Sequence, residues 1–194
     1  LLSPESGLLQ MEKTVDPEFM YGKYWYRSGI NASMTKELED IAKTSVDTVP
    51  CQNGDVFLDI ACNDGTLLKF VPDKFFKLGI DPCDDSFANE ARRHANHVCQ
   101  DFFSAETYKN VTKKKAKIVT TIAMFYDLDD PKKFLDDVYE IMDDEGMLIL
   151  QLSYTPLMLK QLAFDNICHE HVCFYSLSSM KYILDKCNFK IVDC

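Results

Sequence analysis

Asp55-Val-Phe-Leu-Asp-Ile-Ala-Cys-Asn-Asp-Gly-Thr-Leu-Leu68 decides how this chain folds. A short apolar run closes on an acid, crosses a tight polar turn with one glycine, and opens a helix. That succession places a ligand pocket at the carboxyl end of a strand in an open α/β sheet. The content of the turn selects the ligand. A dinucleotide site takes G-x-G-x-x-G, because bare backbone has to approach a pyrophosphate. Here the turn is Ala61-Cys62-Asn63-Asp64-Gly65, with a single glycine and a carboxylate. A carboxylate there repels a diphosphate and suits a ligand carrying an amino group and a sulfonium. S-adenosylmethionine is such a ligand.

Outward from this turn the pattern repeats. Phe75 to Asp81 is a second apolar run closing on an acid, and Val98 to Asp101 predicts a short third strand. Ala116 to Thr121 is a β-branched fourth strand that runs into Ile122 to Tyr126; Met147 to Leu152 predicts a fifth and Phe189 to Val192 a sixth. Between them lie helical signals. Asn31 is an N-cap ahead of Met34, Leu38, Ile41, Ala42 and Val49, which fall near helical spacing. Helices are also expected over about 66–71 and from Glu90 to His97. Asp130-Pro131 is a cap with proline at the first helical position, ahead of a stripe of Phe134, Leu135, Val138, Ile141 and Met142. Ser178 is expected to cap a helix carrying Met180, Ile183, Leu184 and Cys187. Alternation at this pitch predicts a doubly wound, mostly parallel, Rossmann-like sheet. One domain over residues 1–194 is expected, with 1–20 as an irregular lead-in.

Composition bounds the function. The formal net charge of −10 disfavours a nucleic-acid partner, and Lys113-Lys114-Lys115 reads as a solvated turn before a strand. No apolar run approaches the ~20 residues of a membrane span and no signal peptide is visible, so a soluble, cytoplasmic protein is expected. Eight cysteines without a C-x-x-C pair read as small buried hydrophobes.

Acids close the first three predicted strands: Asp59, Asp81 and Asp101. An acid ending the second strand is placed to take both ribose hydroxyls of a nucleoside. Asp101 is placed for the adenine amino group, with Phe102 against the ring. The donor would then touch Asp59, Ala61, Asn63, Gly65, Asp81, Asp101 and Phe102.

Four stretches carry a more specific likeness: Tyr24-Trp-Tyr-Arg-Ser-Gly-Ile-Asn31, Leu58 to Leu68, Ile122-Ala-Met-Phe-Tyr-Asp-Leu-Asp-Asp-Pro131 and Ile167-Cys-His-Glu-His171. From about residue 19 to the end, the chain resembles the sugar C-methyltransferases of deoxysugar pathways, built on the class I S-adenosylmethionine-dependent fold. The resemblance implies a sugar, nucleotide-sugar or glycan substrate. It implies His171 as general base, Glu170 as its orienting or substrate-contacting partner, and Tyr24 and Tyr26 as an aromatic pair closing over the active site. The small N-terminal zinc-binding domain and the further C-terminal domain usual in that family are expected to be absent from this stretch. The last of its usual seven strands would lie beyond Cys194.

The chemistry fits those residues. Methyl transfer is an in-line displacement at an activated sulfonium, so the protein must position the acceptor and remove its proton. A sugar hydroxyl, or a carbon beside a sugar ketone, needs a base that works near neutral pH, and histidine is one. His169 and Tyr126 are expected to join the substrate contacts, although Tyr126 can equally pack or line the donor pocket. The early tyrosines can also serve as core. In an extended chain His169, His171 and Cys173 share a face, but this is a poor closed zinc site and no metal is expected. Two other functions are compatible with the fold. A nicotinamide oxidoreductase on the same fold is disfavoured by the missing G-x-G-x-x-G. The other is a catalytically silent donor-binding module. Methylation of a glycan hydroxyl, in place of carbon, is a further alternative.

Overall fold

A computed structural model describes residues 1–16, 20 and 25–194. In chain order the strands are β1 (Leu9–Gln10), β2 (Val56–Ile60), β3 (Phe76–Ile80), β4 (His97–Cys99), β5 (Ala116–Ile122), β6 (Met142–Gln151) and β7 (Cys173–Phe174). The α-helices are α1 (Ala32–Thr48), α2 (Asp85–Ala91), α3 (Ala105–Val111), α4 (Pro131–Ile141), α5 (Thr155–Gln161) and α6 (Leu177–Lys186).

Five strands form one parallel sheet in the order β4-β3-β2-β5-β6. All five residues of β2 are buried, as a strand covered on both faces must be. Its alternate side chains enter different cores. Val56, Leu58 and Ile60 pack with Tyr108 of α3, Leu135 and Val138 of α4, and Met180 and Leu184 of α6. Phe57 packs on the other face with Leu38 and Ala42 of α1 and Phe87 and Ala88 of α2. The fold is the expected doubly wound α/β sheet. Strand order reverses between β2 and β5, and that reversal opens a crevice at their carboxyl ends.

Local signals account for most boundaries. Asn31 Oδ1 accepts from Ser33 N at 3.0 Å and Met34 N at 3.3 Å, starting α1. Asp130 Oδ1 accepts from Lys133 N at 2.9 Å, and Pro131 follows it at the head of α4. Other boundaries differ from expectation. The helix expected over 66–71 is a single 3₁₀ turn, Leu68–Phe70. The helix placed at Glu90–His97 instead occupies Asp85–Ala91, because Asp84 caps it by accepting from Ser86 N at 2.8 Å. Ser176, not Ser178, caps α6, through a reciprocal pair with Ser179.

Strand β6 begins before the expected Glu145-Gly146 turn, and its register against β5 slips there. Phe189 to Val192 forms no strand; Phe189 N instead donates to the Leu184 carbonyl at 2.9 Å, wrapping the end of α6. The lead-in is not wholly irregular either, since Leu9 and Gln10 pair antiparallel with Phe174 and Cys173. No helix among the described residues is long and apolar enough to cross a membrane.

Candidate active site

The crevice holds a cavity of about 300 Å³. Its floor comes from the carboxyl ends of β2, β3 and β5 and the loops that leave them. Six residues expected at the site line it: Tyr26, Asp59, Ala61, Asn63, Asp81 and Phe102. The turn after β2 is bent by three left-handed residues, Ala61 (φ 58°), Asn63 (φ 51°) and Gly65 (φ 76°). Left-handed backbone costs a non-glycine residue roughly 1–2 kcal/mol, so surrounding contacts must hold the first two in place. Gly65 lies behind the cavity wall. A Cβ on it would stand 2.6 Å from Ala91 Cα, so the bare backbone lets the turn touch the end of α2.

Asp59 is buried, and the Thr120 hydroxyl donates to its Oδ1 at 2.7 Å. Burial pushes its pKa up to about 7, against the hydrogen bond from Thr120, and the neighbouring charge of Asp81 adds to the rise. Asp81 Oδ2 accepts from Asn63 N at 2.8 Å and Oδ1 from Cys83 N at 2.9 Å. Its burial still raises its pKa despite those two donors. Burial, helped by the Asp81 carboxylate, also pushes the Cys62 and Cys83 thiols up, so both stay protonated as packing groups.

Asp64 does not face the cavity as the turn's charge suggested. Its Oδ2 accepts from Gly29 N at 2.8 Å, and its Oδ1 accepts from Thr66 N at 3.1 Å and Thr66 Oγ1 at 2.5 Å. The acidic wall comes instead from strand ends and the loop after β5: Asp59, Asp81, Asp127 and Asp129. No Lys, Arg or His is among the described residues that line the cavity. Asp127 and Asp129 were not singled out from sequence, although the run Asp127-Leu-Asp129 carried the signal. Ser28, Met34 and Met124 are further wall residues that sequence reasoning missed.

The remaining expected residues fall elsewhere. Asp101 lies beyond the end of β4, exposed, with its carboxylate accepting from Phe102 N at 2.7 Å; it is not part of the cavity wall. Strand β4 stops at Cys99, too early to aim Asp101 inward. Tyr24 lies outside the described residues. His169 and Glu170 are exposed and away from the wall.

His171 is half-buried behind the wall, its ring 4.4 Å from that of Tyr126 in an edge contact. Val172 N donates to the Tyr126 carbonyl at 3.0 Å, tying the two segments together. Tyr126 is itself buried, and Met124 and Asp127 beside it line the cavity. His171 Nδ1 lies 2.8 Å from the Asn166 carbonyl oxygen. That oxygen only accepts, so Nδ1 carries a proton and Nε2 is the ring nitrogen placed to take one. Among the described residues no three His, Cys, Asp or Glu side chains gather in a form that could hold a metal ion.

A family profile described as a methyltransferase domain matches residues 26–193. The chain belongs to this methyltransferase-domain family. A curated relative, the C-methyltransferase NovU of Streptomyces niveus, is 22% identical over 189 residues, or 96% of this chain and 45% of NovU. The methyltransferase domain therefore spans less than half the length of that relative. Among solved structures, the plantazolicin methyltransferase BamL, in complex with a triazolic desmethylPZN analog and SAH, superposes with a TM-score of 0.60. It is 15% identical, and the match covers 79% of this chain and 60% of BamL. A SAM-dependent methyltransferase from Archaeoglobus fulgidus gives a TM-score of 0.62 at 18% identity, over 80% of this chain and 69% of that one. At these identities the structural likeness speaks for the fold.

Proposed function

We propose that this domain is an S-adenosylmethionine-dependent methyltransferase acting on a sugar, with His171 as the general base. The observation that carries the donor assignment is the wall of Asp59, Asp81, Asp127 and Asp129, with no cation among its described residues. A cationic ligand is attracted into such a cavity, whereas a dinucleotide would bring its diphosphate against carboxylates. Apolar side chains complete the lining: Met34, Leu38, Phe102, Met124 and Leu128 suit an adenine ring and a thioether chain. Asp81 and Ala61 hold the nucleoside end, and Asp59 sits beneath them.

When bound, S-adenosylmethionine supplies an electrophilic methyl group on a sulfonium. Tyr26, on the wall, orients the acceptor. The acceptor proton passes to Nε2 of His171, whose opposite nitrogen is pinned by the Asn166 carbonyl. Tyr126 packs on the imidazole and sets its plane. His171 stands behind the wall, so a shift of the Asn166–Val172 loop toward the acceptor is part of this reading. The sugar assignment rests on the motif resemblance, while the similarity to the C-methyltransferase NovU supports methyl transfer.

The acidic lining favours one form of acceptor. A nucleotide sugar would have to keep its diphosphate outside the cavity, while a glycan residue carries no such charge. Calorimetry with S-adenosylmethionine and with NADH tests the donor, and tight NADH binding without donor binding overturns it. Incubation with nucleotide sugars and glycans plus isotopically labelled donor, followed by NMR of the new methyl, tests the acceptor. It also separates O–CH₃ from C–CH₃.

A further inference from the structure

The side chains of the turn after β2 are spent on another segment of the chain. Asn63 Oδ1 accepts from Ser28 N at 3.1 Å, and its Nδ2 donates to the Tyr26 carbonyl at 3.0 Å. Asp64 Oδ2 accepts from Gly29 N at 2.8 Å. Three hydrogen bonds thus bind residues 26–29 across the turn. Arg27, between them, reaches the neighbouring helix: its guanidinium lies 3.9 Å over the Phe87 ring, Nη2 donates to Ser86 Oγ at 2.9 Å, and Nε meets Glu90 at 3.3 Å.

We infer that Asn63 and Asp64 are positioning residues that latch the segment Tyr26–Gly29 over the cavity, so that they govern donor release through that strap and not through contact with the donor. Tyr26 and Ser28 form part of the cavity wall, while Trp25 and Ile30 at either end of the strap are exposed. Lifting the strap therefore opens one side of the cavity. Asn63 couples latch and site in one residue, because its own N–H donates to Asp81 while its amide grips the strap. Asp64 is suited to its place as an acid. One oxygen is held by the two donors of Thr66 and leaves the other free to accept from Gly29.

The latch also dictates a residue on the strap. A Cβ on Gly29 would lie 2.8 Å from Thr66 Oγ1 and 3.1 Å from Asp64 Oδ2. Thr66 is a short side chain anchored by Asp64, so it has little room to yield. Gly29→Ala should lift the strap while leaving every side chain of the turn in place. The inference rests on the donor reading only for what passes beneath the strap.

Trp25 is the only tryptophan in the chain and stands at the end of the strap, so its emission reports strap motion without a label. The experiment compares wild type, Gly29→Ala, Asp64→Asn and Asn63→Ala, with thermal unfolding confirming that each variant is folded. Time-resolved anisotropy of Trp25 is read without ligand. Stopped-flow release of S-adenosylhomocysteine and steady-state kinetics are read with it. Each variant should lower the residual anisotropy and speed release about tenfold, the weight of one or two of the hydrogen bonds that hold the strap. Donor KM should rise by a similar factor while the thermal unfolding midpoint stays near the wild-type value, a split that general loosening of the core would not produce. Adding Arg27→Gln to Gly29→Ala should loosen the strap further. A wild type that binds no donor sinks the donor reading, and anisotropy alone then decides the latch. Folded variants with wild-type anisotropy overturn the inference, as do variants with wild-type release from a donor-binding protein.

Discussion

Asp59 is the residue whose chemistry most depends on its neighbours. With burial holding its pKa up to about 7, the ligand-free protein carries it largely protonated below that value. An unfolded aspartate ionises near ~3.9, so the folded state binds the extra proton between about 4 and 7. The stability of the empty protein should therefore fall as pH rises through that window. Donor binding runs the opposite way. A cationic ligand prefers the ionised carboxylate, so affinity should climb as pH rises through about 7 and then level off. Calorimetry between pH 5.5 and 8.5 should show that climb with proton release, and Asp59→Asn should flatten it. His171 makes a separate prediction. His171→Ala should lower kcat by about 10²–10⁴ with the donor dissociation constant unchanged, because the ring lies behind the donor wall. Loss of donor binding in that variant, or full turnover, would remove histidine from the mechanism.

Elements were legible where a signal was local. Asn31 and Asp130 begin helices because a short side chain can reach back to free N–H groups within one turn, whatever lies around them. Serine at 176, 178 and 179 offers the same local chemistry three times, and only the reciprocal bond between Ser176 and Ser179 settles which one caps α6. Phe189 to Val192 has the composition of a strand, yet a strand needs a neighbour for its backbone groups, and no described strand pairs with it. The turn after β2 is an element in its own right, and Gly65 tests it. Gly65→Ala would drive a Cβ into Ala91 from a left-handed backbone. It should cost about 2–3 kcal/mol of stability, read as a lower denaturant midpoint, and weaken donor binding with it.

At the scale of the molecule, one sheet serves two cores, and β2 belongs to both. Leu58 is fully buried at the centre of the larger core, so Leu58→Ala should destabilise the protein by about 3 kcal/mol in urea titration. The alternation of apolar runs and helical stripes, the acids closing runs at Asp59 and Asp81, and the glycine-poor turn were all readable along the chain. They determined a doubly wound α/β fold with a pocket at its strand ends. Hydrophobic periodicity and capping depend on residues a few positions apart, which is why the chain alone could specify them. Where each polar side chain points depends on what the fold brings beside it. Only the tertiary structure showed that Asp64 holds Gly29 and not a ligand, that Asp101 falls outside the wall, and that Asp127 and Asp129 enter it. Those outcomes rest on hydrogen bonds and packing between segments up to tens of residues apart, and no local pattern encodes such partners.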